Sequence, residues 1–416
     1  MEVPSQWKVV VITHVPKVSQ PVVPADFRPI SLTPIISRIL EKFMVRKEFY
    51  PLLLQPSLAP LLNDQFAFRP TGSTTAAIIF LLHTITDMLN KFPYAHVLAL
   101  DFSKAFDSLS RVTLTKKLAA TKLSDNIYNW IIQYLKDRGH KTHYGSELSS
   151  VANINASVVQ GSALGTVFFI INALDLHPIH SDNRMAKYAD DWYLIIPSIN
   201  THSSEIQNVT SWATANNLKL NVSKTQEMLI CKKNVSTSVL SAVIPGISRV
   251  TSLCVLGVTM NQHLSFSLHV DNKLAKGNQC LYALKTLKSK GLTGKCLNTV
   301  CRATFFNSIV YASQAWWGFT TSEERGRLQG LINKAIRWEL DGHCNLPNLD
   351  DFCATADNVL FKSVLEKPTH GLHQLLPPVN LQPYSLRRRP HNRIVPYFTP
   401  LSSRSFFARM LIKDMY

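Results

Sequence analysis

The stretch RMAKYADDWYLIIPS, residues 184–198, sets two adjacent aspartates, Asp190 and Asp191, between short apolar runs. Apolar-aromatic runs on both sides of a brief polar break predict a β-hairpin with the carboxylates at its tip. A surface turn tolerates such a pair, so the pair alone decides nothing. A third carboxylate changes the reading. HVLALDFSKAFD predicts a short buried strand, Val97 to Leu100, ending at Asp101, and adjacent strands of a small sheet bring Asp101 to the hairpin tip. Gathered carboxylates repel unless a divalent cation neutralises them. Oxygen-only donors suit Mg²⁺ or Mn²⁺, and two such ions about 3.5 to 4 Å apart stabilise the attacking and leaving oxygens of phosphoryl transfer.

The composition points the same way. The chain has 416 residues, 46% of them hydrophobic, and a formal net charge of +17. It is long enough for a sizeable core in two or three domains. Its charge implies a polyanionic partner, with nucleic acid ahead of an anionic membrane surface. The most apolar stretch, SVVQGSALGTVFFIINAL, is interrupted by Gln160, Gly161, Ser162, Gly165 and Asn172. It reads as buried protein and not as a membrane span. The first residues lack a basic stretch followed by an apolar one, so the expected compartment is the cytosol or nucleus, without secretion. The seven cysteines include no CxxC pair, which points away from a disulfide framework or a zinc module.

Proline-punctuated loop and apolar runs alternate over the first 60 or so residues, and Ile35, Ile36, Ile39, Leu40 and Phe43 recur at helical spacing after Pro34. SLAPLLNDQFAFRPTGSTTAAIIFLLHTITDML predicts a Pro/Gly turn and a long amphipathic helix. Strand and helix alternate as far as LKLNVSKTQEMLICKK, as in one α/β domain, and successive helical segments follow from 236. The last stretch, rich in Pro and Arg, predicts a loosely ordered basic extension.

Taken in order, ALDFSKAFDSLSR, VVQGSALGTVFF, KYADDWYLII and LKLNVSKTQ resemble the palm motifs of reverse transcriptases. VPKVSQPVVPADFRPISLTPIISRILEKFM and NDQFAFRPTGSTTAAI are similar to the fingers segments of jockey-like, non-LTR retrotransposon reverse transcriptases. LCVLGVTMNQHLSFSLHVDNKLAKGNQCLYALKTLK and VYASQAWWGFTTSEERGRLQGLINKAIRW resemble that family's primer grip and thumb. The resemblance spans about residues 5 to 340. It implies an α+β right-hand polymerase: fingers and an antiparallel-sheet palm in 1–235, primer grip and helical thumb in 236–340, and a basic extension in 341–416.

The resemblance also assigns roles. Asp101, Asp190 and Asp191, with the backbone carbonyl of Phe102, are implied to hold two Mg²⁺ (or Mn²⁺) ions, and Lys224 to protonate departing pyrophosphate. Lys17 and Arg28 are implied to clamp the triphosphate of a dNTP, and Gln160 and Gly161 to meet the nucleotide and template. Phe106 stands where the family excludes a 2′-hydroxyl, although an aromatic after a strand is also an ordinary core residue. Arg69 is expected to brace the fingers or contact template backbone. Lys273, Lys276, Lys285, Lys288, Arg387, Arg388 and Arg389, interleaved with aromatic residues, suit a primer-template track. The sequence departs from the family at Ser157, Val159 and Thr166, which replace Gly, Pro and Pro. The expected partners are an RNA template, a DNA primer and dNTPs, with no membrane. The expected chain has no nuclease of its own and depends on a supplied primer end or a separate endonuclease. A decayed or repurposed protein that only binds nucleic acid is the alternative. An RNA-templated RNA polymerase is a further one, disfavoured by Phe106.

Overall fold

The computed structural model describes residues 2–103, 105–154, 159, 161–232, 242–343, 345–380 and 391–413. The chain opens with the antiparallel hairpin of β1 (Val9–Pro16) and β2 (Phe27–Leu32), which continues into α1 (Ile35–Met44), a π-helical turn, and α2 (Tyr50–Leu53). The buried helix α3 (Thr74–Lys91) begins where the Ser73 hydroxyl accepts from the Ala76 N–H. β3 (Tyr94–Leu100), β4 (Phe102–Ser103) and the helices α4 (Ala105–Ser108), α5 (Arg111–Ala119) and α6 (Asp125–Leu135) follow. β5 (Gly139–Tyr144) returns to lie parallel to β1, with β6 (Glu147–Leu148) and β7 (Ala152–Asn153) paired on it. Next come α7 (Ala163–Asn172), the hairpin of β8 (Arg184–Tyr188) and β9 (Asp191–Pro197), α8 (His202–Ala215), β10 (Lys219–Leu220) and β11 (Gln226–Cys231).

The central sheet runs β12-β11-β3-β9-β8, where β12 (Ser248–Arg249) is the one strand parallel to its neighbour. Strand alternation gives this sheet two buried faces. Leu98, Leu100, Trp192, Leu194 and Ile196 face a core shared with α5, α6 and α7. Val97, Tyr193, Ile195, Met228 and Ile230 face a second core, which also holds the buried side of α3. That second core continues into the hairpin of β13 (Ser252–Val255) and β14 (Val258–Asn261) and then into a helical unit. Its helices are α9 (Ser267–Ser289), α10 (Gly294–Val300), a π-helical turn, α11 (Asn307–Val310), α12 (Ser313–Trp316) and α13 (Ser322–Arg337). The chain is therefore an α+β protein with an antiparallel-dominated sheet, and a strand hairpin precedes the helices expected from 236. No described helix is long and apolar enough to cross a membrane.

One expectation is corrected, and one helix turns a side inward that its spacing does not reveal. The helix after Pro34 forms as its spacing predicts, but most of that stripe stays outside: Ile35, Ile36, Ile39 and Phe43 are exposed, Leu40 packs against the first core, and Ser37, Glu41 and Met44 are buried. The inward side is set by a hydrogen-bonded carboxylate, which has to reach its donors, and most of the aliphatic stripe is left outside. The loosely ordered extension is instead packed structure over 345–380 and 391–413. α14 (Leu349–Glu366) and α15 (Phe406–Ile412) bury Leu349, Cys353, Phe361, Val364, Phe406, Phe407, Met410 and Leu411 in the second core. Arg409 pairs with Asp357 and also donates to the Gln314 carbonyl at 3.0 Å. Prolines and arginines dominate the segment between these helices, and their apolar faces find partners on α12 and α3.

Candidate active site

The last β3–β9 pair is Leu100 opposite Trp192. Asp101 follows Leu100 and Asp191 precedes Trp192, so the two carboxylates leave neighbouring strands at the same level. Tyr188 pairs with Asp191 across a two-residue turn, Ala189–Asp190, which is the hairpin tip the sequence predicts. Ala189 turns at φ +53, and the buried Trp192 indole donates to its carbonyl at 2.6 Å, locking the turn from below. On the other side, the Asn221 N–H donates to the Asp101 carbonyl at 2.8 Å, and the Thr225 hydroxyl accepts from the Asp101 N–H at 3.4 Å. The turn Asn221–Thr225 thus fixes Asp101 and also places Lys224, which is exposed, beside it.

Partial loss of hydration, with repulsion from Asp190 and Asp101, pushes the Asp191 carboxyl up to about 6. Negative charge is therefore concentrated where the strands end. Among the described residues no three His, Cys, Asp or Glu side chains close into a ready-made metal cage. The set suits a hard divalent cation in another way: it is all oxygen and open to solvent, so substrate oxygens and water would supply the remaining ligands. Phe102 follows on β4, paired with Leu220. Its ring is buried edge-on to Trp192 at 4.7 Å, so only its backbone is available to the site.

Phe106 on α4 is half-buried and stacks on Phe169 of α7, with centroids 4.6 Å apart and planes 23° apart. One face of the ring packs against the core through Phe169, and the side chain is left partly exposed. Gly161 has φ +105, and a Cβ there would come within 3.0 Å of the Ser31 carbonyl oxygen. Only glycine fits this turn, which leads into the Ser162 cap of α7. Gln160 and Ser157 lie outside the described residues, as do Arg387, Arg388 and Arg389. Lys17 and Arg28 are both exposed at the loop end of the β1–β2 hairpin, where Lys17 N–H donates to the Asp26 carbonyl at 2.7 Å. They belong to a different sheet from the carboxylates.

Arg69 is a brace: its guanidinium donates to the carbonyls of Leu62, Gln65 and Thr369. Of the basic helix residues, Lys273 donates to the Ser308 carbonyl and lies over the Tyr311 ring, and Lys288 pairs with Glu339 at 2.8 Å. Lys276 and Lys285 remain exposed, the latter 5.3 Å from the Trp338 ring centroid.

Three further groups frame the site without having been singled out in the sequence. The Leu256 backbone at the β13–β14 turn hydrogen-bonds the hydroxyl of Tyr193, two residues after Asp191 on β9. The Tyr311 hydroxyl donates to the Leu256 carbonyl at 3.0 Å. Lys187, 1% exposed, pairs with Asp64 at 2.9 Å beneath the hairpin and donates to the Leu176 and Ala173 carbonyls. A lysine in the middle of a strand pattern is the signal that exposed it to notice.

A reverse transcriptase (RNA-dependent DNA polymerase) family model matches residues 15–260. The chain is 27% identical over 354 residues to a probable RNA-directed DNA polymerase from transposon X-element of Drosophila melanogaster, covering 80% of this chain and 38% of that protein. It is 25% identical over 356 residues to the RNA-directed DNA polymerase from mobile element jockey of the same organism, again covering 80% and 38%. The chain thus spans well under half the length of these curated relatives. Among solved structures it is similar to apo telomerase from Candida tropicalis, with a TM-score of 0.46 and 13% identity over 87% of this chain and 68% of that one. With more than half of its residues in the family match, the chain belongs to the reverse transcriptase (RNA-dependent DNA polymerase) family.

Proposed function

We propose that the chain is an RNA-directed DNA polymerase of a non-LTR retrotransposon, extending a primer 3′-hydroxyl with dNTPs on an RNA template. The observation that supports it best is the convergence of Asp101, Asp190 and Asp191 at the ends of neighbouring strands, beside the β13–β14 turn. Two divalent ions bound by these carboxylates and the Phe102 carbonyl would supply Lewis-acid stabilisation of the attacking and leaving oxygens. The chain's own contribution is positioning, because no covalent intermediate is needed. The Trp192 and Asn221 bonds hold the carboxylates in register. Lys17 and Arg28 offer cations to the triphosphate, Gly161 lets backbone approach the nucleotide, Phe106 excludes a 2′-hydroxyl, and Lys224 donates a proton to departing pyrophosphate. The exposed lysines Lys276 and Lys285 attract the duplex backbone in a salt-dependent way.

The test is extension of a DNA primer on an RNA template with dNTPs and Mg²⁺, beside an Asp190→Asn/Asp191→Asn variant. The parent should make DNA, and the variant should lose at least about 100-fold in rate while binding primer-template as tightly as the parent. No product from a parent that still binds primer-template tightly would replace this reading with that of a nucleic-acid binder.

A further inference from the structure

Glu41, in the middle of α1, is wholly buried. One carboxylate oxygen accepts from the Ser37 hydroxyl at 3.0 Å and the Tyr134 hydroxyl at 2.8 Å. The other accepts from the Ser162 hydroxyl at 2.5 Å and the Ala163 N–H at 3.0 Å. These four donors are neutral and come from three elements: α1, α6 and the first turn of α7. Burying a carboxylate is costly unless its lone pairs are filled, and an apolar side chain of similar volume would pack there at less cost. This one also sits where the α7 backbone N–H groups point, an arrangement that favours negative charge. Tyr134, which burial holds in its protonated form, can serve only as a donor towards it.

The same turn is contacted from a second side. Ser31 on β2 places its carbonyl against Gly161, and Glu41 on the following helix holds Ser162 and Ala163. The hairpin that bears Lys17 and Arg28 is therefore joined to the Gly161 turn both by backbone contact and by the Glu41 carboxylate. Most of the aliphatic face of α1 stays exposed, so this polar network, together with Met44, makes up the inward side of the helix.

We propose that Glu41 is a positioning residue: it sets the Gly161–Ala163 turn against the β1–β2 hairpin and thereby fixes the seat of the incoming nucleotide. The inference rests on the polymerase reading above. It concerns nucleotide affinity and leaves the carboxylates and the grip on the duplex untouched.

Glu41→Gln tests it, since the amide keeps the shape but loses the charge and one of the two acceptor oxygens that now serve the Ser37 and Tyr134 hydroxyls on one side and the Ser162 hydroxyl and Ala163 N–H on the other. The KM for dNTP should rise about tenfold or more, with the maximal extension rate within about threefold of the parent. Primer-template affinity should be unchanged. Hydrogen exchange should speed up about tenfold in the peptide covering 161–166 and stay constant in β3 and β9. Tyr134→Phe, which removes one donor and keeps the carboxylate, should move the same two readouts in the same direction by a smaller factor, and serves if the glutamine variant fails to fold. Unchanged KM and local exchange would overturn the proposal, as would a uniform loss that follows global stability. If the parent extends no primer, the polymerase reading fails, and the exchange data still decide whether Glu41 holds the turn.

Discussion

Ala189 is a buried point of backbone strain in the candidate site. It turns the carboxylate hairpin at φ +53, a conformation that costs a residue with a Cβ about 1 to 2 kcal/mol. The Trp192 indole bond to its carbonyl helps to hold it there. Ala189→Gly should therefore stabilise the chain by about 0.5 to 1 kcal/mol in denaturant titration, after the extra freedom of glycine in the unfolded state is subtracted. A loss of stability would show that the methyl group has a packing role that outweighs the strain. The pair Asp190–Asp191 was legible as a hairpin tip because apolar runs flank it. The strain at Ala189 was not, because a left-handed residue has no signature in an alanine.

Among the elements, the helical unit after β14 rests on a histidine that has to stay neutral. His269 on α9 is buried against Trp316, with its Nδ1 accepting from the Thr259 N–H at 3.3 Å. Burial, with Lys273 and Lys276 nearby, pulls its pKa from 6.5 down to about 3. The unfolded chain binds this proton below pH 6.5 and the folded chain does not, so the stabilisation is complete above 6.5 and is lost as the pH falls towards 3. Between pH 6 and 4 the unfolding free energy should drop by about 1.4 kcal/mol per pH unit from this group. Chemical denaturation of His269→Asn across that range should show a slope smaller by about one proton. An unchanged slope would mean that the ring is already charged in the folded state. The helix itself was legible from its spacing. Its buried histidine was not, because only the packing of α12 over α9 removes the water.

For the whole molecule, the residues after α13 decide whether the polymerase-like part stands alone. Leu346, Leu349, Phe361, Leu372, Phe406 and Phe407 belong to the same core as α3 and the helical unit, and the Thr369 carbonyl accepts from Arg69. Removing residues 343–416 should therefore expose a broad apolar surface on α3 and α12. The shortened chain should lose its cooperative thermal transition or aggregate, where a mere appendage would leave the transition unchanged. Scanning calorimetry of the two chains distinguishes these outcomes.

The sequence alone determined the features that depend on local order and composition. These were the basic balance, the hairpin with its aspartates, the strand ending at Asp101, and the succession of motifs that places the chain in its family. Each is written in residues close together, where strand alternation and turn chemistry leave a readable period. Only the tertiary structure decided which face of α1 turns inward, that Glu41 spans to Ser162, that Tyr193 meets the β13–β14 turn, and that the last helices join the main core. Those outcomes come from contacts between distant segments. There, the need to satisfy a buried polar group or cover an apolar face overrides what the local pattern favours.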